Sequence, residues 1–128
     1  LAFFPAALEL PSAKEVVRCL LFKSIELNTR FPDRRGCLGI QGALACSESA
    51  ESVRIALIEA RENGEGILRE RLERAKEERD LPEATDCAAL AAYVCAVLHG
   101  MAVQAKAGFS REKLEAVATL AMGALPIN

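Results

Sequence analysis

Apolar positions along this chain recur at helical spacing, and turn residues cut the pattern into about five helical pieces. Pro11-Ser12-Ala13-Lys14-Glu15 opens the first clear helix. The Ser12 hydroxyl is placed to accept from the Glu15 N–H while Glu15 reaches back, the pattern of a capping box. This helix runs through Val17, Leu20, Leu21 and Ser24 to about Asn28. Phe31-Pro32-Asp33 stops it, because a residue before proline is driven out of the helical region. A short helix follows, roughly Cys37 to Cys46, and Ser47-Glu48-Ser49 breaks it and caps the next. The third helix is long, from about Ala50 to Arg79, with Leu57, Arg61, Gly64, Leu68, Leu72 and Ala75 on one side. Gly64 and Gly66 each cost it roughly 1 kcal/mol relative to alanine. Its second half, Arg69 to Arg79, is nearly all charge of alternating sign. That reads as a solvated face laced with i,i+4 ion pairs, not as a stripe for nucleic acid. Leu81-Pro82-Glu83 ends the helix, and Asp86 caps a fourth from Cys87 to about Ala107, stopped by Gly108. Ser110 caps the last, from Arg111 to about Leu125, and Pro126 prevents continuation. Nothing reads as a strand, so the expected fold is an all-α helical bundle.

The fourth helix carries no formally charged residue from Cys87 to Val103. A membrane span needs roughly 20 apolar residues; this run is shorter, contains His99 and is built largely of alanine. A soluble helix that is apolar on every side must be buried on every side. Leu90, Val94, Val97 and Met101 form one stripe, suited to the domain's own core. Ala92, Cys95, His99, Ala102, Val103 and Lys106 form another, whose small residues admit a second helix closely. The last helix repeats the pattern with Leu114, Val117, Ala118, Ala121, Met122 and Leu125. One domain of this size does not easily cover both stripes twice. The pattern therefore predicts a homodimer in which the last two helices of each protomer form a four-helix interface around a two-fold axis. His99 is expected there, hydrogen-bonded near the axis; a proton-sensitive switch and a ligand contact are its other readings.

Length and composition narrow the function. The chain has 128 residues, 52% hydrophobic and 27% charged, enough for one domain with its own core. A net charge of −2 supplies no basic face for phosphates, so these residues are not expected to bind nucleic acid by themselves. The five cysteines, Cys19, Cys37, Cys46, Cys87 and Cys95, are odd in number and contain no C-x-x-C. Buried free thiols in a reducing cytoplasm are the expectation. The single histidine has no cysteine at ligand spacing, so neither a metal nor another cofactor is expected. No G-x-S-x-G, H-E-x-x-H or phosphate loop is present, and catalytic residues are expected to be absent. The opening Leu1-Ala2-Phe3-Phe4-Pro5 lacks a basic segment and reads as the end of an upstream helix over residues 1–10, not as a signal peptide.

Arg35-Gly36-Cys37-Leu38, opening a short helix that ends in Ala43-Leu44-Ala45, resembles a recurrent segment in the regulatory domains of TetR-family regulators. So does the run from Leu98-His99-Gly100-Met101 to Gly108, followed by Ser110-Arg111-Glu112-Lys113-Leu114. The order of long charged helix, Leu-Pro turn, alanine-rich helix and short final helix is similar too, over about Ser12 to Leu125. The resemblance implies a one-component repressor whose N-terminal helix-turn-helix reads a palindromic operator. Its C-terminal domain would dimerise and be released from the operator by a small apolar effector. No helix-turn-helix lies within these residues, so operator DNA would be reached only through a part outside them. The resemblance further implies an effector site inside the bundle. Candidates are Phe4 and Leu8, then Leu20, Leu21, Ser24 and Asn28, then Cys37, Ile40, Gln41 and Leu44, and the hydroxyl of Tyr93. Ordinary core packing is the competing reading of each. A structural or partner-binding helical dimer with no small-molecule ligand is the alternative for the whole chain.

Overall fold

The computed structural model describes residues 3–30 and 51–126. Among them are five helices: α1 (Phe4–Leu8), α2 (Ala13–Thr29), α3 (Glu51–Glu77), α4 (Cys87–Lys106) and α5 (Arg111–Gly123). No strand occurs among the described residues. The short helix expected over Cys37 to Cys46 lies outside them.

Three helix starts follow from local chemistry. Ser12, extended at φ −129° and ψ 153°, accepts from the Glu15 N–H at 3.1 Å. Asp86 does the same for Ala89 N–H at 3.0 Å, and Ser110 for Lys113 N–H at 3.1 Å. Each cap satisfies a donor that the first helical turn leaves without an intrahelical partner.

The ends of α3 and α4 share one device. Gly108, at φ +104°, lets Phe109 N–H reach Gln104 O at 3.0 Å and its own N–H reach Ala105 O at 3.1 Å. This is a Schellman closure, with glycine at the left-handed position. After α3 the same pair of bonds forms, from Asp80 N–H to Ala75 O at 2.8 Å and from Arg79 N–H to Lys76 O at 3.1 Å. There the left-handed residue is Arg79, at φ 65°. A side chain with a Cβ is strained in that region. Arg79→Gly is therefore expected to stabilise the domain by about 0.5–1 kcal/mol, the relief outweighing glycine's entropy. A urea midpoint that falls instead of rising would contradict this.

α2 is the central helix. It packs against α4 and α5, with α1 and α3 on its flanks, and α3 also lies along α4. Its inward stripe is Ala13, Val16, Val17, Leu20, Leu21, Ser24, Ile25 and Asn28. α3 adds Leu68, Leu72 and Ala75, all fully buried, and α4 adds Leu90, Ala91, Val94, Leu98, Met101 and Ala105. α4 is long and apolar enough to cross a membrane by length and composition alone, yet 44% of its most apolar window is buried inside the protein.

Candidate effector pocket and dimer face

The expected effector residues fall into three groups. Leu20, Leu21, Ser24 and Asn28 are buried together on the inner side of α2. Phe4 and Leu8 are half-buried at α1 and pack against the same core. Cys37, Ile40, Gln41 and Leu44 lie outside the described residues. Within α2, Asn28 Nδ2 donates to Ser24 Oγ at 3.1 Å, so these two inward polar groups, one turn apart, partner each other. Tyr93 is placed differently. It is 39% exposed on the outward side of α4, apart from the α2 group, because at about 100° per residue it is turned away from the inward residues Ala91, two positions before it, and Val94, one after. Its ring is on the surface, neither turned into the core nor sealed there.

Shallow depressions in the described surface lie elsewhere. One of about 400 Å³ runs over Gly66, Arg69, Glu70, Glu73, Arg74 and Glu77. Another, of about 380 Å³, is lined by Leu10, Glu15, Arg18, Cys19, Phe22, Lys23 and Glu26. The Arg18 guanidinium carbon sits 4.9 Å from the centre of the Phe22 ring there. Their charged linings do not match the apolar surroundings that an apolar small molecule needs.

The residues expected at the dimer face divide in two. Leu114, Ala118, Ala121 and Leu125 of the last segment are buried in the protomer's own core, as are Cys95 and Ala102 of α4. They have almost no surface left for a partner. Periodicity tells which residues share a face; it does not tell which of two apolar faces turns inward, and α2 covers this one. The outward faces are offset. On α4 the outward face runs along Ala89, Ala92, Tyr93, Ala96 and Gly100, with His99 and Val103 half-buried at its edge and Lys106 exposed. On α5 it runs along Ala116, Val117, Leu120 and Ala124, with Met122 half-buried beside it. Leu120 is 78% exposed and Val117 38%. A Cβ built on Gly100 would meet nothing within 4 Å.

The polar groups bordering this face are quiet. Burial, with the Glu65 carboxylate adding, pushes the Cys95 thiol up to about 11, so at neutral pH it is protonated and behaves as a small apolar group. Burial holds His99 below its ordinary value, and the Arg61 charge acts the same way against an opposing pull from Glu65. The imidazole is therefore neutral at pH 7. Burial also raises the Cys87 thiol, with the Glu73 carboxylate adding. Cys19, Cys87 and Cys95 are free, and no cluster of metal-ligating side chains occurs among the described residues.

One residue departs from the solvated reading of the α3 charge run. The exposed pair Arg74–Glu78 at 3.7 Å fits it, and the half-buried pair Lys76–Glu73 stands at 3.6 Å. Arg71, however, is only 6% exposed and turns inward. Its position one turn from Leu68 and Ala75 was the available signal, masked by the charges on either side.

The family model described as "Tetracyclin repressor-like, C-terminal domain" matches residues 6–121. The chain belongs to the TetR family as its C-terminal domain. A solved cysteine mutant of the TetR family transcriptional regulator CifR, complexed with 26-bp double-strand operator DNA, is similar at 38% identity and a TM-score of 0.89. The alignment covers 98% of this chain and 66% of that one. A second CifR mutant with operator DNA shows 35% identity and the same TM-score of 0.89, covering 98% of this chain and 66% of that one. A putative TetR transcriptional regulator from Rhodococcus sp. RHA1 follows at 35% identity and a TM-score of 0.83, covering 99% of this chain and 68% of that one. This TetR-family chain thus spans about two thirds of the length of these regulators. No curated protein sequence matches it.

Proposed function

We propose that this TetR-family domain is the effector-sensing and dimerisation part of a cytoplasmic transcriptional repressor, not an enzyme, and that it works as a homodimer. In this reading a small apolar ligand enters the bundle beside the inward side of α2 and releases the regulator from its operator. The DNA is held by a part of the protein outside these residues. The observation that carries the reading is the outward apolar face of α4 and α5, where Leu120, Tyr93 and Val117 stand in solvent beside alanines and a glycine. A soluble protein seldom leaves such a contiguous face bare, and a two-fold copy of the same face is self-complementary. The operator complexes of the CifR mutants support the DNA part.

The mutual pairing of Ser24 and Asn28 favours a second reading, a helical dimer with no small-molecule ligand, since those groups need no visitor to satisfy them. A thermal-shift screen of apolar compounds separates the two. An effector at a hundredfold excess over its Kd is expected to add about 2.7 kcal/mol of stability by mass action. A panel in which no apolar compound raises the melting temperature would favour the ligand-free dimer.

A further inference from the structure

We propose that Arg71 and Asp80 form a clasp that makes the C-terminal end of α3 and the elbow between α1 and α2 a single rigid body. A displacement of α3 is then passed to whatever precedes α1. The elbow is the break from Glu9 to Ser12, where α1 ends and α2 begins. Two groups from α3 and its closing turn hold both sides of it. From Arg71, Nε donates to Leu8 O at 3.0 Å and Nη2 to Leu10 O at 2.9 Å. The Asp80 carboxylate accepts from Ala13 N–H, the first residue of α2, at 2.6 Å. Each charge complements the backbone groups it meets: a cation at the carbonyls of Leu8, the last residue of α1, and Leu10 in the elbow, an anion at the first amide of α2. Both partners are distant in sequence, 63 and 61 residues for the arginine bonds and 67 for the aspartate bond, so local chain geometry does not enforce them.

Two further observations mark this as more than routine packing. Arg71 Nη1 is also sealed from water and has no acceptor among the described residues. A buried guanidinium committed to two carbonyls with a third donor left over keeps the elbow in one arrangement at a cost. Asp80, moreover, directly follows the left-handed Arg79 in the turn that closes α3, and its own N–H is held there by Ala75 O. The consequence for signalling rests on the regulator reading; the clasp itself does not.

Amide hydrogen exchange on the whole chain tests it without DNA or effector, so its failure is distinct from failure of the thermal-shift screen. Arg71→Met keeps the apolar stem and removes the donors. It is expected to speed exchange at Glu9, Leu10 and Ala13 by about tenfold or more, while Val94 and Leu98 in α4 change far less. Asp80→Ala is expected to release the same amides from the other side, and it carries the test if Arg71→Met does not fold. A third arm reads transmission. Gly64→Ala with Gly66→Ala, where an added Cβ meets nothing within 4 Å, firms α3. That pair should slow elbow exchange when Arg71 is present and leave it unaltered when Arg71 is methionine. Elbow amides that rise only in step with those of α4, or that ignore the α3 substitutions in the presence of Arg71, would overturn the proposal.

Discussion

Gly100→Leu is expected to convert the domain from a homodimer into a folded monomer. Within the protomer the position has room at its start, because a Cβ added at Gly100 meets nothing within 4 Å and the residue is exposed. The substitution even gains helix propensity, roughly 1 kcal/mol. The same side chain in the dimer would stand where Ala96 and Ala92, one and two turns back, admit a partner helix. Overpacking costs about 1–3 kcal/mol per site, and two-fold symmetry applies it twice. The dissociation constant should therefore rise by roughly 30-fold to 10⁴-fold. Sedimentation velocity reads the association, and far-ultraviolet circular dichroism shows that the helices persist. An unaltered dimer would place the interface on another surface. A chain that loses its helices would mean that Gly100 serves the fold.

The second large effect concerns α2. Leu20 is fully buried at the centre of the bundle, although it also stands among the candidate effector residues. If its surroundings are packed core, Leu20→Ala removes both the transfer energy of the lost methyl groups and the contacts around the remaining cavity. Such truncations cost about 2–5 kcal/mol. In a chain of this size that lowers the melting temperature by roughly 10–20 °C. A loss below about 1 kcal/mol would show that the site already has room, and the inner side of α2 would then be an open pocket even without ligand. The same variant thus measures how far sensing and packing compete for one set of residues.

What could be read from the sequence was what is decided locally. Ser12, Asp86 and Ser110 announce helix starts because each cap bonds an amide three residues away. Gly108 announces the end of α4 because its left-handed conformation suits glycine. The close of α3 carries no such mark: Arg79 adopts the same conformation without glycine, and the Leu81-Pro82 signal stands just beyond it. The pattern predicts a last helix to about Leu125, whereas α5 stops at Gly123, since Ala124 N–H and Leu125 N–H bond Ala121 O and Met122 O, three residues back, before the proline.

The site was less legible, for tertiary reasons. α5 is apolar on both faces, and only the position of α2 shows that Leu114, Ala118, Ala121 and Leu125 turn inward while Val117 and Leu120 turn out. Tyr93 differs from its inward neighbours by a fraction of a helical turn, which a pattern of small apolar residues does not resolve. Arg71 was hidden by its surroundings. In a run of alternating charges, one guanidinium with an inward task looks the same as those with an outward one, until Leu8 and Leu10 are found beside it.

The central claim is that α4 and α5 present a face meant for a second copy of this chain. Sedimentation equilibrium of the unmodified domain at low micromolar concentration measures this most directly. The account predicts a mass about twice the 13.8 kDa of the single chain. A single species at 13.8 kDa over that range, with Leu120 and Tyr93 open to solvent, would contradict it.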